Sequence, residues 1–172
     1  MTLSLYDTTI PSFLQTLTAL GGYLDKGLAH CTSQGVDPGT FVEARLYPDM
    51  LPLRFQVVSA AHHSLGAIEA PQSGSFSPPK GGEYDYPGLQ KLVADTITAL
   101  KGKTPEAIDG CLGREVSFKM RDRANGFTAE NFLLSFSFPN FYFHSSIAYA
   151  LLRSKGVPLG KRDFLGHLRI KT

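Results

Sequence analysis

The sequence predicts an all-α protein, a four-helix bundle in which residues 1–172 form a single domain. Two observations predict this class. Four separate segments carry apolar residues at steps of three and four, which is the spacing of one helix face. Segments rich in glycine and proline separate them, and 42% of the residues are apolar, which is enough for a hydrophobic core.

The first predicted helix covers residues 5–33 and ends before Gly35 and the turn residues Asp37-Pro38-Gly39. Its apolar residues recur on one face. They are Leu5, Ile10, Phe13, Leu14, Leu17, Leu20, Leu24 and Leu28.

A second helix is predicted from about residue 49 to residue 69, with Asp49 as its N-cap and Pro52 in its first turn. In the alternative, the helix begins nearer Pro52. The following segment, residues 71–84, is rich in proline, glycine and serine, and it predicts a long exposed loop that connects two helices.

A third helix is predicted over residues 86–101, and Gly102 ends it. Polar and apolar residues alternate over 114–120, and residues 123–126 have the composition of a turn. This pattern predicts a small β-hairpin, or a single extended segment, before the last helix.

The last helix is predicted to begin after the N-cap Thr128 and to end at Gly156. Phe127 and Phe132 occupy the positions of a hydrophobic staple. Because proline lacks the backbone N–H of a helical residue, we expect Pro139 to kink the middle of this helix.

Composition and charge argue against several functions. Seventeen basic and fifteen acidic residues leave a net charge of +2, too small to indicate nucleic-acid binding. The N-terminus lacks the features of a secretory signal, and no long apolar window predicts a membrane span. Cys31 and Cys111 show no metal-binding or redox spacing, and a cytoplasmic location is expected.

The candidate site lies in the last helix, where Asn140 and His144 interrupt an apolar stripe. The two residues are four apart and therefore share a face. The predicted stripe comprises Phe132, Phe136, Phe143, Ile147 and Leu151. The aromatic side chains of Phe136, Tyr142, Phe143 and Tyr149 predict the lining of a pocket for a small apolar or aromatic molecule.

Polar groups on such a stripe need hydrogen-bond partners, because an unsatisfied buried group costs about 1–3 kcal/mol. The second helix offers Asp49, Gln56 and His63, which are spaced by seven and share a stripe. We therefore predict that Gln56, Asn140 and His144 meet in the core.

Of these three, His144 is the one that titrates near neutral pH, which makes it the candidate general base or acid. The amides of Gln56 and Asn140 are suited to orient a carbonyl or an oxyanion. A purely structural interpretation stays open, because the three side chains can bond one another, the helix backbone or a trapped water.

Several motifs in order along the chain resemble an uncharacterised domain-of-unknown-function family of the DinB/YfiT-like superfamily. They are Leu5-Tyr6 with Ile10-Pro11, Tyr47-Pro-Asp-Met-Leu-Pro-Leu53 with Gln56-Val57, Asn140-Phe-Tyr-Phe-His144, Ala148-Tyr-Ala-Leu-Leu-Arg153, and Gly160-Lys-Arg-Asp-Phe-Leu-Gly166. The resemblance implies an antiparallel four-helix bundle that forms a homodimer.

Better-known members of that superfamily bind a divalent metal through one histidine of the second helix and an HxxxH pair of the last. Here His144 matches the second histidine of that pair, Asn140 replaces the first, and Gln56 takes the second-helix position. Amides are poor ligands for zinc or nickel, so the sequence predicts a hydrogen-bonding pocket with no metal or other cofactor. In the alternative, His63 reaches His144 and forms a metal site with Asp49.

Three functions follow. The first is a small-molecule enzyme or binding protein with metal-independent acid–base chemistry at His144, such as isomerisation, cyclisation, dehydration or hydrolysis. The second is a non-catalytic dimeric scaffold in which the polar trio fixes helix register. The third is a divalent-metal-dependent transferase or hydrolase of the DinB type.

Overall fold

The computed structural model describes residues 3–171 and is mainly helical, with a small sheet of three strands. In chain order the elements are α1 Leu5–Gln34, α2 Gly39–Val42, α3 Leu53–Ala61, the π-helical turn π1 His62–Gly66, α4 Ala67–Ser73, β1 Ser75–Phe76, α5 Tyr86–Lys101, α6 Pro105–Asp109, β2 Glu115–Met120, β3 Arg123–Thr128, α7 Ala129–Asn131, π2 Phe132–Ser137, α8 Phe138–Ser154 and α9 Lys161–Leu165.

Four long helical segments build the core. They are α1, the continuous run α3–π1–α4, α5, and the continuous run α7–π2–α8. Helices α1 and α3 each pack against both α5 and α8. The predicted apolar face of α1 is confirmed, since Ile10, Phe13, Leu17, Leu20 and Leu24 are fully buried. No helix within residues 3–171 is long and apolar enough to cross a membrane.

The second helical segment begins later and ends later than predicted. Asp49 is not its N-cap: it is exposed in a turn, and Pro52 precedes the first helical residue. The alternative start near Pro52 is therefore confirmed. At the other end the helix continues to Ser73, so residues 71–73 belong to it and not to the predicted loop.

The sheet contains the predicted hairpin, β2 paired with β3, and one strand that the sequence did not indicate. This strand, β1, pairs in parallel with β2 and buries Phe76. The predicted turn at 123–126 is wrong, because those residues form β3 and the reversal lies at Arg121 and Asp122. Arg121 has a φ of 53°, which is the left-handed conformation that a tight reversal requires.

Side chains form hydrogen bonds with backbone carbonyls along the edge of β1 that does not pair with β2. The Gly74 carbonyl accepts a hydrogen bond from β2, so the next carbonyl, that of Ser75, points away from the sheet. It accepts a hydrogen bond from the Ser73 hydroxyl, and His62 Nε2 lies 2.7 Å from the Ser77 carbonyl. The edge is thereby protected from pairing with another strand, and His62 is fixed in position.

The last helical segment has the predicted start. The hydroxyl of Thr128 accepts a hydrogen bond from the Asn131 amide, and the rings of Phe127 and Phe132 lie 5.9 Å apart. Before Pro139 the helix takes the wider π form, in which the Phe138 N–H donates to a carbonyl five residues earlier.

This π turn moves the buried stripe by one residue, because a π turn holds one residue more than an α turn. Beyond it the most buried stripe contains Ser137, Phe141, Ser145, Ala148 and Leu152. Phe143, a member of the predicted stripe, is instead 56% exposed. His144 consequently lies at the border of the buried stripe and is half-buried.

Candidate functional site

A hydrogen bond between Gln56 and His144 forms the centre of the candidate site. Gln56 projects from α3 and is 3% exposed, and its Oε1 lies 2.8 Å from His144 Nδ1 on α8. Its Nε2 donates to the Leu51 carbonyl at 2.8 Å. The predicted contact between Gln56 and His144 is therefore observed, and the loop before α3 determines which way the amide faces.

This arrangement defines the tautomer of His144. The side-chain N–H of Gln56 donates to the Leu51 carbonyl, so the Gln56 atom that faces the imidazole is the oxygen Oε1. Because this oxygen can only accept a hydrogen bond, His144 Nδ1 must carry the proton. His144 Nε2 then keeps its lone pair. It has no hydrogen-bond partner within residues 3–171 and is not sealed from solvent. Burial lowers the pKa of His144 to about 4, so the ring is neutral at pH 7.

His63 lies beside this pair. It follows Gln56 by seven residues, is 5% exposed, and its ring lies 6.0 Å from that of His144 between centroids, with 18° between the planes. Burial, followed by the neighbouring His144 and His62, lowers the pKa of His63 to about 3. Both imidazoles are therefore uncharged at neutral pH, and they present hydrogen-bonding atoms without charge.

Two side chains near the histidines donate hydrogen bonds to helix backbone carbonyls. Ser137, in π2, donates its buried hydroxyl to the His63 carbonyl of π1 at 2.6 Å. Asn140 donates its side-chain amide to the Phe136 carbonyl, one turn earlier in its own helix, at 2.7 Å. No hydrogen bond joins Asn140 to Gln56 or His144 in the described chain. The predicted meeting of three polar side chains is thus observed for two of them, because a nearby backbone acceptor takes the third.

His62 precedes His63 in the π turn π1 and lies outside the predicted site. Its ring stacks on Phe76 with centroids 4.3 Å apart and an interplanar angle of 25°. Adjacent helix residues point about 100° apart, so His62 faces away from the core where His63 is buried. A groove of about 540 Å³ runs along this side; its lining includes His62, Glu69, Gln72, Ser75 and Phe76.

Aromatic rings surround the histidines, although not all of the predicted ones. Phe136 lies 5.6 Å from His63, as the prediction of an aromatic lining required. Phe55 and Phe143 flank His144 with centroids at 5.9 and 5.2 Å, and Phe143 is largely exposed. His144 therefore lies between two aromatic side chains, one of them largely exposed.

Tyr142 and Tyr149 lie elsewhere, against α1 and not beside His144. Tyr142 stacks on Phe138, and Tyr149 lies edge-on to Tyr23 of α1. The reason is helical geometry: at 100° per residue, Tyr142 projects about 200° and Tyr149 about 140° away from His144 on α8. Asp49, the remaining predicted residue, is exposed in a turn before α3.

The donor atoms do not fit the three-imidazole metal site that the resemblance implies. Gln56 Oε1 already accepts a hydrogen bond from His144, and the amide oxygen of Asn140 is a neutral, weak ligand for zinc or nickel. Within residues 3–171, no group of three His, Cys, Asp or Glu side chains is placed to hold a metal ion. His63 does approach His144, as the metal alternative required, but exposed Asp49 does not complete the set.

Comparisons with known proteins agree with this fold. The family described as "Domain of unknown function (DUF1993)" matches residues 5–165. A crystal structure of a DinB family member protein from Shewanella denitrificans is 28% identical, covers 98% of this chain and 95% of its own, and superposes with a TM-score of 0.85. No curated protein matches the chain. These findings confirm the resemblance to an uncharacterised DinB-like family.

Proposed function

This chain belongs to the DUF1993 family of domains of unknown function, and we propose that it binds a small neutral molecule of apolar or aromatic character at His144. One observation carries the proposal. Gln56, whose Nε2 donates to the Leu51 carbonyl, accepts a hydrogen bond from His144 Nδ1 and leaves His144 Nε2 as a lone-pair acceptor without a partner among the described residues. Such an acceptor, between the rings of Phe55 and Phe143, suits an aromatic ligand with a hydroxyl or N–H donor.

The chemistry that we propose is metal-independent acid–base catalysis, with His144 Nε2 accepting a proton from the bound molecule and returning it. Isomerisation, cyclisation, dehydration and hydrolysis all need such a transfer. A histidine with a pKa of about 4 is fully unprotonated at pH 7 but is a weak base. It therefore suits a substrate whose departing proton is already acidic, and it binds neutral donors more readily than anions or cations.

The binding test uses phenol, with anisole as the matched probe that lacks the hydroxyl proton. Chemical shifts of ¹⁵N-labelled protein would be followed during titration. We expect phenol to move the resonances of His144, Phe55 and Phe143 at lower concentration than anisole does. His144→Ala should remove that preference while keeping a folded spectrum. Equal response to both probes, or an unchanged preference in folded His144→Ala, would refute the proposed role of His144.

The second candidate is a non-catalytic dimeric scaffold, and the bonds from Ser137 to the His63 carbonyl and from Asn140 to the Phe136 carbonyl favour it. Polar side chains that satisfy helix backbone fix geometry without any ligand. This candidate predicts a stable homodimer in light scattering, loss of stability on substitution of Ser137, and no response of His144 to either probe.

We further propose that the four long helical segments form the antiparallel four-helix bundle of the DinB superfamily, and that the protein acts in the cytoplasm. The packing of α1 and α3 against the same two helices, α5 and α8, supports the bundle.

A further inference from the structure

A second crevice, of about 290 Å³, lies between the helical run α3–π1–α4 and helix α5. Its floor consists of apolar side chains from both helical segments, namely Val58, Ala61 and Leu65 of the run and Leu92 of α5. Val58 and Ala61 are almost fully buried, and Leu65 and Leu92 are half-buried. Because the transfer of apolar groups out of water is favourable, this floor attracts the apolar part of a ligand.

A loop forms the outer wall of this crevice and is fixed at two points. At one point His62 Nε2 lies 2.7 Å from the Ser77 carbonyl, and at the other Arg54 Nη1 donates to the Gly82 carbonyl at 3.3 Å. Pro79 lies between these points and lines the crevice, and its ring restricts the backbone φ. The wall is therefore in place before any molecule binds, as is usual for small-molecule sites.

The charged groups at the crevice leave one positive charge without an ionic partner. Glu69 lines the crevice and pairs with Lys103, with 2.7 Å between Oε1 and Nζ. Lys80, in the fixed loop, also lines the crevice and forms no salt bridge with the described residues. Since Glu69 and Lys103 neutralise each other, the charge of Lys80 remains, and the rim favours an anion.

We propose that this crevice binds an amphipathic monoanion, a carboxylate with an unbranched hydrocarbon chain. The chain lies on the apolar floor, and the carboxylate lies at the rim beside Lys80. At roughly 30 Å³ for each group of the size of a water molecule or a methylene, the crevice holds a chain of roughly eight to ten such groups. His144 is not among the lining residues, so this site is separate from the proposed function at His144 and goes beyond it.

The hydrocarbon chain and the charge contribute differently to binding. Each methylene that leaves water for the apolar floor adds to the affinity, so the chain supplies most of it. Lys80 is exposed, and an exposed ion pair adds little and is screened by salt. The charge of Lys80 therefore produces a preference of about threefold for a carboxylate over the uncharged alcohol of the same chain length.

Titration of ¹⁵N-labelled protein with octanoate, and with 1-octanol as the probe that lacks the carboxylate, tests the inference. We expect both probes to shift the amide resonances of Ala61, Leu65 and Leu92, and octanoate to bind about threefold more tightly at low salt. Sodium chloride at about 0.5 M should bring the two affinities together, because salt screens exposed charges. Equal affinities at low salt, or shifts confined to residues away from the crevice, would overturn the inference.

Substitutions at the rim and at the floor separate the two contributions. Lys80→Gln should make the two affinities equal by weakening octanoate alone, and Lys119→Gln, exposed on β2 outside the crevice, is the matched control. Ala61→Leu extends a side chain into the crevice and should weaken both probes about fivefold. If that variant does not fold, Leu65→Gln makes the floor polar at a half-buried position and should weaken both probes as well. A folded floor variant that binds like wild type contradicts the inference.

The result is independent of the proposed function. His144→Ala should bind octanoate as wild type does, because His144 does not line the crevice. If octanoate fails to bind there, the test with phenol and anisole at His144 is unaffected, and a negative result with phenol likewise leaves the crevice as a site.

Discussion

Acid should destabilise this protein through the two buried histidines. Their pKa values are about 3 for His63 and about 4 for His144 in the folded protein, against 6.5 for an unperturbed histidine. Above pH 6.5 both rings are neutral in the folded and the unfolded chain, and their effect on stability is constant. As the pH falls from 6.5 towards 4, His63 and His144 become protonated in the unfolded chain but stay neutral in the folded chain. The free energy of unfolding therefore decreases.

The magnitude follows from these pKa values. Between pH 7 and pH 5, each histidine lowers the free energy of unfolding by about 2 kcal/mol, so the pair contributes about 4 kcal/mol. That is a large part of the 5–15 kcal/mol typical of a domain. Below about pH 4 the folded protein begins to protonate His144, and the slope becomes shallower.

Urea unfolding at pH 7 and at pH 5 measures this effect. Wild type should lose about 4 kcal/mol more than the double variant His63→Gln, His144→Gln between the two pH values, and each single variant should show about half of that difference. His167→Gln is the matched control, because its side chain is exposed. A double variant with the same pH dependence as wild type would refute the assignment of low pKa values to these two rings.

Two further predictions concern positions where the chain offers its own control. Ser137→Ala removes the buried hydroxyl that donates to the His63 carbonyl, and we expect it to lower the free energy of unfolding by about 1–3 kcal/mol. Ser135 is exposed in the same π turn, so Ser135→Ala should change the free energy of unfolding less. Gly27→Ala places a methyl group against the buried Tyr86 hydroxyl, closer than van der Waals contact allows, and should lower the free energy of unfolding by about 1–3 kcal/mol in thermal or urea unfolding. Gly22→Ala meets nothing within 4 Å and should stabilise the helix by up to about 1 kcal/mol. Equal effects within either pair would contradict the packing described.

Local signals predicted some elements to the residue. Helix α5 has the predicted bounds, because Asp85 caps it and Gly102 follows its end. The same holds for Thr128, whose side chain caps the last helical segment. Such signals depend on a few neighbouring residues, and packing elsewhere in the chain does not alter them.

The π turns had no such signal, and the wrong placement of Phe143 follows from them. A π turn is favoured by tertiary contacts, here the bond between Ser137 and the His63 carbonyl, that one-dimensional periodicity does not contain. An uninterrupted α period predicts Phe143 on the buried face, and the structure leaves it 56% exposed. Strand β1 was missed for a related reason, since its two residues are too few to show alternation.

Gln56 lies at the position that the resemblance aligns with a metal-binding histidine, and its contact with His144 shows how this site differs from a metal centre. In metal sites a ligating histidine offers one nitrogen to the ion and donates the N–H of the other to a nearby acceptor, which orients the ring. Gln56 is such an acceptor for His144, so the residue that replaces a ligand orients a ring instead. One oriented imidazole with neutral amides beside it offers a divalent ion fewer electron-donating ligands than three histidines would. Glutamine at this position therefore supplies the acceptor that orients His144, where a third imidazole would have supplied a metal ligand.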